Sequence, residues 1–171
     1  MNFDLTLFMI INLKNKHILE VDDFQFRCCI GKNGIKKIKF EGDKSTPAGL
    51  FRLLNLYYRP DRIDNLNCKI NKIKIKKNMG WCDDPESKKY NQLIKINSEK
   101  KFEKLYRKDH KYDLLIELDF NRVKTIPNKG SAIFLHLTNN YKPTAGCVAI
   151  KKKDFLILLK IIKKNTYLKI N

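Results

Sequence analysis

The sequence predicts a mostly β (α+β) fold with one helix near the C-terminus. Short apolar runs alternating with polar residues recur between turn-forming clusters. The stretch 132–137 is almost wholly apolar at strand length, as expected of a central strand. Only one segment, Asp154 to Ile162, repeats its apolar residues at helical spacing.

Residues 5–13 and 17–21 read as strands joined by the polar turn Asn15-Lys16. Phe24, Phe26 and Cys28 alternate with polar neighbours and predict a third strand, ending at Gly31. Lys32-Asn33-Gly34 has tight-turn chemistry, and residues 41–49 read as a loop. Phe51, Leu53 and Leu54 resume a strand. From about 58 to 113 the chain is rich in Asn, Asp, Lys and aromatics with weak periodicity, which predicts long loops carrying short elements. Leu114–Leu118, Ala132–Leu137 and Val148–Ile150 are further strands. Asp154 is placed to cap the helix through Phe155, Leu158, Leu159 and Ile162, and Thr166–Ile170 closes the fold.

The 171 residues suit one domain, residues 1–171, with 43% hydrophobic residues to build its core. The formal net charge is +18, from 36 Lys+Arg against 18 Asp+Glu, but only six of the cations are Arg. Lys is a point charge rather than a bidentate phosphate clamp, and no zinc-finger, RNP or helix-turn-helix pattern accompanies it. A solvated basic surface is the simpler account, and nucleic-acid binding is not expected. Five cysteines, two of them adjacent, argue against a disulfide framework. No pair has the spacing of a zinc or redox site, so no metal or cofactor is implied. No stretch approaches the ~20 apolar residues that span a bilayer. The N-terminus has no recognisable signal peptide: Asp4 precedes any basic residue and the apolar run Leu7 to Ile11 is short.

His136 ends the apolar strand, and Cys147 follows eleven residues later inside Pro143-Thr144-Ala145-Gly146-Cys147-Val148-Ala149. A lone cysteine is ordinarily a buried hydrophobe and a lone histidine a satisfied core residue. Together, at a strand end and a Gly-Cys step, they suit a thiol nucleophile and its base. A free thiol near pKa ~8.5 is only a few per cent thiolate at neutral pH, and a shift of two units, about 2.7 kcal/mol, would make thiolate dominant. Gly146 lets backbone approach a substrate, and the N–H groups of Gly146 and Cys147 are candidate oxyanion donors. The carbonyl of Leu137 is a candidate to orient the imidazole.

Phe134-Leu135-His136 followed by Thr144-Ala145-Gly146-Cys147 resembles the signature of the L,D-transpeptidase catalytic domain (YkuD-like) family. Gly31-Lys32-Asn33-Gly34, Glu41-Gly42-Asp43, Thr46-Pro47-Ala48-Gly49, Trp81-Cys82-Asp83-Asp84-Pro85, Tyr90-Asn91, Tyr112-Asp113 and Gly130-Ser131 extend the resemblance over residues 18–170. It implies a single β-sandwich or barrel domain acting on peptidoglycan stem peptides as a monomer in the cell envelope or periplasm. Carried over by position, Cys147 attacks an amide between an L-type centre and a D-residue. His136 is base and then acid, Gly146 and Cys147 supply donors, and Thr144 supports the loop. An amine of a second stem resolves the thioester in a transpeptidase. Water or a free D-amino acid does so in an L,D-carboxypeptidase or exchange enzyme. A basic polymer-binding module is the non-enzymatic alternative.

Where many members carry His and Arg around the Gly-Cys step, this chain has Ala145 and Ala149. The role of that cation falls to Arg52, to a lysine or to nothing. Trp81 is a candidate to line the substrate groove, with core packing as its alternative. Asp83 and Asp84 read as a carboxylate pair, a metal site or a turn before Pro85, the turn being favoured. His110, among charges, is expected to be solvated.

Overall fold

The protein is described by a computed structural model covering residues 8–97 and 101–171. Its strands are β1 (Met9–Lys14), β2 (Ile18–Val21), β3 (Phe24–Cys29), β4 (Ile35–Lys36), β5 (Thr46–Pro47), β6 (Gly49–Tyr58), β7 (Lys72–Lys74), β8 (Met79–Cys82), β9 (Leu93–Lys95), β10 (Phe102–Lys104), β11 (Leu114–Leu118), β12 (Phe134–Leu137), β13 (Val148–Ile150) and β14 (Thr166–Ile170). One helix, α1 (Lys152–Ile161), lies between β13 and β14. The fold is mostly β, as the sequence predicts. Residues 5–7 of the expected first strand lie outside the described residues.

The β1–β2 hairpin turns at Asn15 and Lys16, both at positive φ, with the His17 amide closing onto the Lys14 carbonyl at 3.1 Å. That turn matches the right-handed twist of the flanking strands. The main sheet runs β11-β12-β13-β3-β2-β1-β14-β6-β7. Strand β6 closes it, pairing with β14 through Gly49–Arg52 and with β11 through Leu53–Tyr58. The central strands are buried on both faces. On one face Ile116, Leu135, Leu137, Val148 and Ile150 join the main core, into which α1 sends Phe155, Leu158 and Leu159. On the other, Leu115 and Phe134 join Tyr57, Trp81, Leu105 and Tyr112 in a second apolar cluster. Each such fully buried large side chain contributes about 1.5–3 kcal/mol relative to exposure.

The middle of the chain forms short elements in long connections. Its three-stranded sheet, β10-β8-β9, carries Trp81 of the second cluster. Three local expectations are corrected. The 41–49 loop contains the two-residue strand β5, which pairs with β4. Asp154 does not cap α1: Lys151 occupies that position without a side-chain bond, and Asp154 lies in the first turn, where its charge complements the helix dipole. Strand β12 begins at Phe134, not Ala132. Ala132 has φ +51, its amide is taken by Asn91 Oδ1, and its carbonyl is taken by the Cys147 thiol.

Candidate active site

Strands β12 and β13 run parallel, with Leu135 opposite Val148 and His136 opposite Ala149. Side chains alternate between faces along a strand. Leu135, Leu137, Val148 and Ile150 therefore enter the main core, while Phe134, His136, Cys147 and Ala149 share the opposite face. Cys147 and His136 become diagonal neighbours on that face. The connection between the strands is short for a parallel pair. It is tied to the end of β3, where the Thr144 amide donates to the Ile30 carbonyl at 2.9 Å and the Lys32 amide to the Thr144 carbonyl at 3.0 Å.

The Gly-Cys step is held from both sides. Thr144 Oγ1 donates to the Cys147 carbonyl at 2.6 Å and accepts from the Gly146 amide at 3.1 Å. Thr46 Oγ1 donates to the Gly146 carbonyl at 2.8 Å and accepts from the Gly31 amide at 2.8 Å. Both glycines are required by close approach. A Cβ on Gly31 would meet the Lys44 carbonyl oxygen at 2.6 Å, and one on Gly146, at φ +147, would meet that of Ser45 at 2.8 Å.

Cys147 is 7% exposed. Its thiol donates to the Ala132 carbonyl at 3.2 Å, and its sulfur accepts from the Phe134 amide at 3.3 Å. His136 is buried, with Nδ1 2.9 Å from the Leu137 carbonyl oxygen. A carbonyl only accepts, so Nδ1 carries the proton and Nε2 keeps the lone pair. Tyr112 packs edge-on against the imidazole at 5.2 Å and gives its hydroxyl to Glu103 at 2.6 Å.

Burial lowers the His136 pKa to about 4, helped by the positive charges of Lys111 and Arg107 and opposed by the Leu137 carbonyl. Burial raises the Cys147 thiol to about 12, and the Glu103 charge adds to this. The Phe134 amide and the Lys39 ammonium act the other way. The shift runs opposite to the depression that would make thiolate dominant at neutral pH. The resting pair is neutral thiol and neutral imidazole, because neither charge is solvated at the floor of the site.

Cys147, His136, Thr144 and Gly146 open together on a cleft of about 850 Å³, also lined by Glu103 and Tyr112. Two other expected residues are elsewhere. Trp81 is 1% exposed and lies behind the site, its ring edge-on to Phe134 and its Nε1 donating to Asn91 Oδ1 at 2.9 Å. Arg52 does not line the cleft. It is exposed on β6, with its guanidinium on Asn165 and its amide on Asp119. His110 is exposed, with Nε2 3.3 Å from the Thr138 carbonyl oxygen. Asp84 makes a turn, accepting from the Glu86 and Ser87 amides, whereas Asp83 faces the cleft.

Spacing did not reveal Lys39, Asn91 or Glu103. Lys39 is 6% exposed, lines the cleft, and its ammonium pairs with Asp43 at 2.7 Å. Its nitrogen lies 3.6 Å from the position a Cβ on Gly146 would take. It supplies a fixed cation to the cleft. Asn91, 1% exposed, joins Trp81, Ala132, Phe120 and Asn121 through four side-chain bonds. It thereby holds the carbonyl that receives the thiol proton.

No helix among the described residues is long and apolar enough to cross a membrane. No curated protein matches the chain. Among solved structures it is similar to the helical cell shape determining protein Pgp2 from Campylobacter jejuni, at 15% identity and TM-score 0.49, covering 95% of this chain and 46% of that one. A mutant of the same protein gives 14% identity and TM-score 0.48, covering 95% and 45%. The chain thus spans just under half the length of those proteins. The model of the L,D-transpeptidase catalytic domain (YkuD) matches residues 7–170, and the chain belongs to that family.

Proposed function

We propose that this chain is a peptidoglycan L,D-transpeptidase of the cell envelope, with Cys147 as nucleophile and His136 as general base. The observation that carries the reading is the β12–β13 register. It sets thiol and imidazole on one face of a cleft, with Nδ1 fixed by Leu137 and the Nε2 lone pair left for proton exchange.

The neutral resting pair sets the order of events. As Cys147 Sγ bonds to the carbonyl carbon of the L,D-amide, its proton passes to His136 Nε2. Negative charge grows on the carbonyl oxygen. The Gly146 amide is engaged by Thr144, so the Cys147 amide is the donor of the Gly-Cys step that receives this oxygen. The C–N bond then breaks, His136 returns the proton to the departing nitrogen, and a D-amino acid leaves a thioester on Cys147. The amine of a second stem attacks that thioester, giving a proton to His136. Collapse forms the new amide and returns the proton to sulfur.

Incubation with tetrapeptide-stem muropeptides tests this. Released D-amino acid, a thioester mass on Cys147 and cross-linked dimers are expected, and none with Cys147→Ala. Full activity in Cys147→Ala would sink the mechanism. Release without dimers at any acceptor concentration would replace transpeptidation by hydrolysis or exchange.

A further inference from the structure

We propose that the buried Glu117–Arg122 ion pair is a positioning device for the Cys147 thiol, acting through Asn91 and the Ala132 carbonyl. The inference rests on the reading of Cys147 as nucleophile and adds the residues that aim it.

The pair sits where charge is costly. Glu117 is 1% exposed and stands directly opposite Phe134 in the β11–β12 register. Alternation puts it on the same face of β11 as Leu115, so its carboxylate enters the side of the sheet that holds the second apolar cluster. There Oε2 accepts from Asn55 Nδ2 at 3.1 Å and from the Tyr57 hydroxyl at 3.2 Å, and Oε1 accepts from Arg122 Nε at 2.8 Å. Well-packed apolar residues often replace a buried ion pair with no loss of stability. Stability alone is therefore a weak account of this carboxylate.

What the carboxylate does is fix a guanidinium. Arg122 follows β11 in a turn closed by its own amide on the Asp119 carbonyl at 3.2 Å. With Nε held by Glu117, the guanidinium lies over the Trp81 ring, 5.1 Å from its centroid, and Nη1 donates to the Asn91 carbonyl. The planar fork of Arg lets one side chain bridge two partners at a set angle, which the single ammonium of Lys does not.

Asn91 is the junction. Its backbone is gripped at both ends: the amide donates to the Cys82 carbonyl at 2.8 Å, and the carbonyl takes Arg122. Between those bonds its φ is +57. A residue with a Cβ stays in the left-handed region where its surroundings impose it. The grip sets the side chain, whose Oδ1 takes the Ala132 amide at 3.1 Å. Ala132 is left-handed too, at φ +51, and its carbonyl receives the thiol at 3.2 Å. The thiol is thus aimed by the backbone of two residues, the Ala132 carbonyl and the Phe134 amide. Phe134 is fixed by the β12 pairing. Ala132 lies outside that strand, so its direction depends on Asn91, and Asn91 depends on the ion pair.

A purely structural pair would pack Trp81 and nothing more. The two roles separate experimentally, because packing moves Tm and leaves the hydrogen bond of the thiol alone. Glu117→Gln keeps size and an acceptor but loses the charge that holds Arg122. Arg122→Met keeps an apolar stem over Trp81 and loses both donors. In the first arm, the infrared S–H stretch of Cys147 is read as the difference between each protein and its Cys147→Ser counterpart. A thiol bonded to a carbonyl absorbs at lower frequency than a free one. One narrow, low-frequency band is expected in the wild type, and a broader band at higher frequency in both variants. In the second arm, thioester formation from a stem tetrapeptide is expected to fall by about tenfold or more in kcat with KM little changed, since a reacting group displaced by ~1 Å loses on the order of 10²-fold. Arg122→Lys, which restores the charge and one donor, is expected to recover part of both signals. Variants that melt lower but keep the wild-type band and kcat overturn the proposal. A shifted band with unchanged kcat overturns it equally, because the aim of the thiol would then not matter to the reaction. If the band shifts and the wild type forms no thioester with any stem peptide, the nucleophile reading fails and the positioning of the thiol stands.

Discussion

Thr144→Val isolates the device that holds the Gly-Cys step. Valine keeps the shape and β-branching of threonine but removes a donor to the Cys147 carbonyl at 2.6 Å and an acceptor for the Gly146 amide at 3.1 Å. The backbone bonds of residue 144 to Ile30 and Lys32 are untouched. Two hydrogen bonds at ~0.5–1.5 kcal/mol net each give a loss of about 1–3 kcal/mol. For a chain of this size a kcal/mol moves Tm by ~2–4 °C, so the fall is about 2–12 °C. Chemistry suffers more than stability, because these bonds aim the thiol, and displacement of a reacting group by ~1 Å costs on the order of 10²-fold. The assays are thermal unfolding by circular dichroism and the rate of thioester formation on Cys147 by mass spectrometry. Thr144→Ser, which restores the hydroxyl, is expected to recover most of both. A valine variant that melts with the wild type and acylates at its rate refutes the reasoning.

Gly146→Ala puts a Cβ 2.8 Å from the Ser45 carbonyl oxygen at φ +147, a strain of about 1–3 kcal/mol before the clash is relieved. Its Tm is expected to fall and thioester formation to be nearly abolished; a normal acylation rate would show that the loop adapts. Because the His136 pKa is lowered to about 4, the acid limb of kcat/KM is expected well below the ordinary histidine value of 6.5. The same group gives stability that is full above pH 6.5 and declines as pH falls toward 4, since only the unfolded chain is protonated in that window. A pH–rate profile and pH-dependent melting check both, and an acid limb at 6.5 or higher contradicts them. Lys39→Met leaves the half-buried Asp43 carboxylate without its cation but still bonded to the Phe40 and Ser45 amides and the Ser45 hydroxyl, so Tm is expected to fall modestly. It also removes a charge that favours the thiolate, so alkylation of Cys147 at alkaline pH is expected to slow, and faster alkylation would refute that role.

The strands and the helix were readable because their signal is local. Alternation in β3, the apolar run of β12 and the helical spacing of 155–162 depend only on which face meets the core. Cys147 and His136 were candidates for a different reason: their eleven-residue spacing is weak alone, and the resemblance of the surrounding motifs to a known family singled them out. What tertiary structure alone decided concerns charge and distance. The thiol is raised rather than lowered because the second apolar cluster closes over it, which no spacing reports. Trp81 is packed behind the site and Arg52 points away from it, because strand register chose their faces. Lys39, Asp83, Asn91, Glu103 and Ser131 come from segments up to about a hundred residues from Cys147, with polar composition typical of exposed loops. Sequence determined which residues carry the proposed bond-making chemistry. Folding determined their protonation states and the charges that face them, because both follow from burial and from neighbours brought together only when the sheet closes.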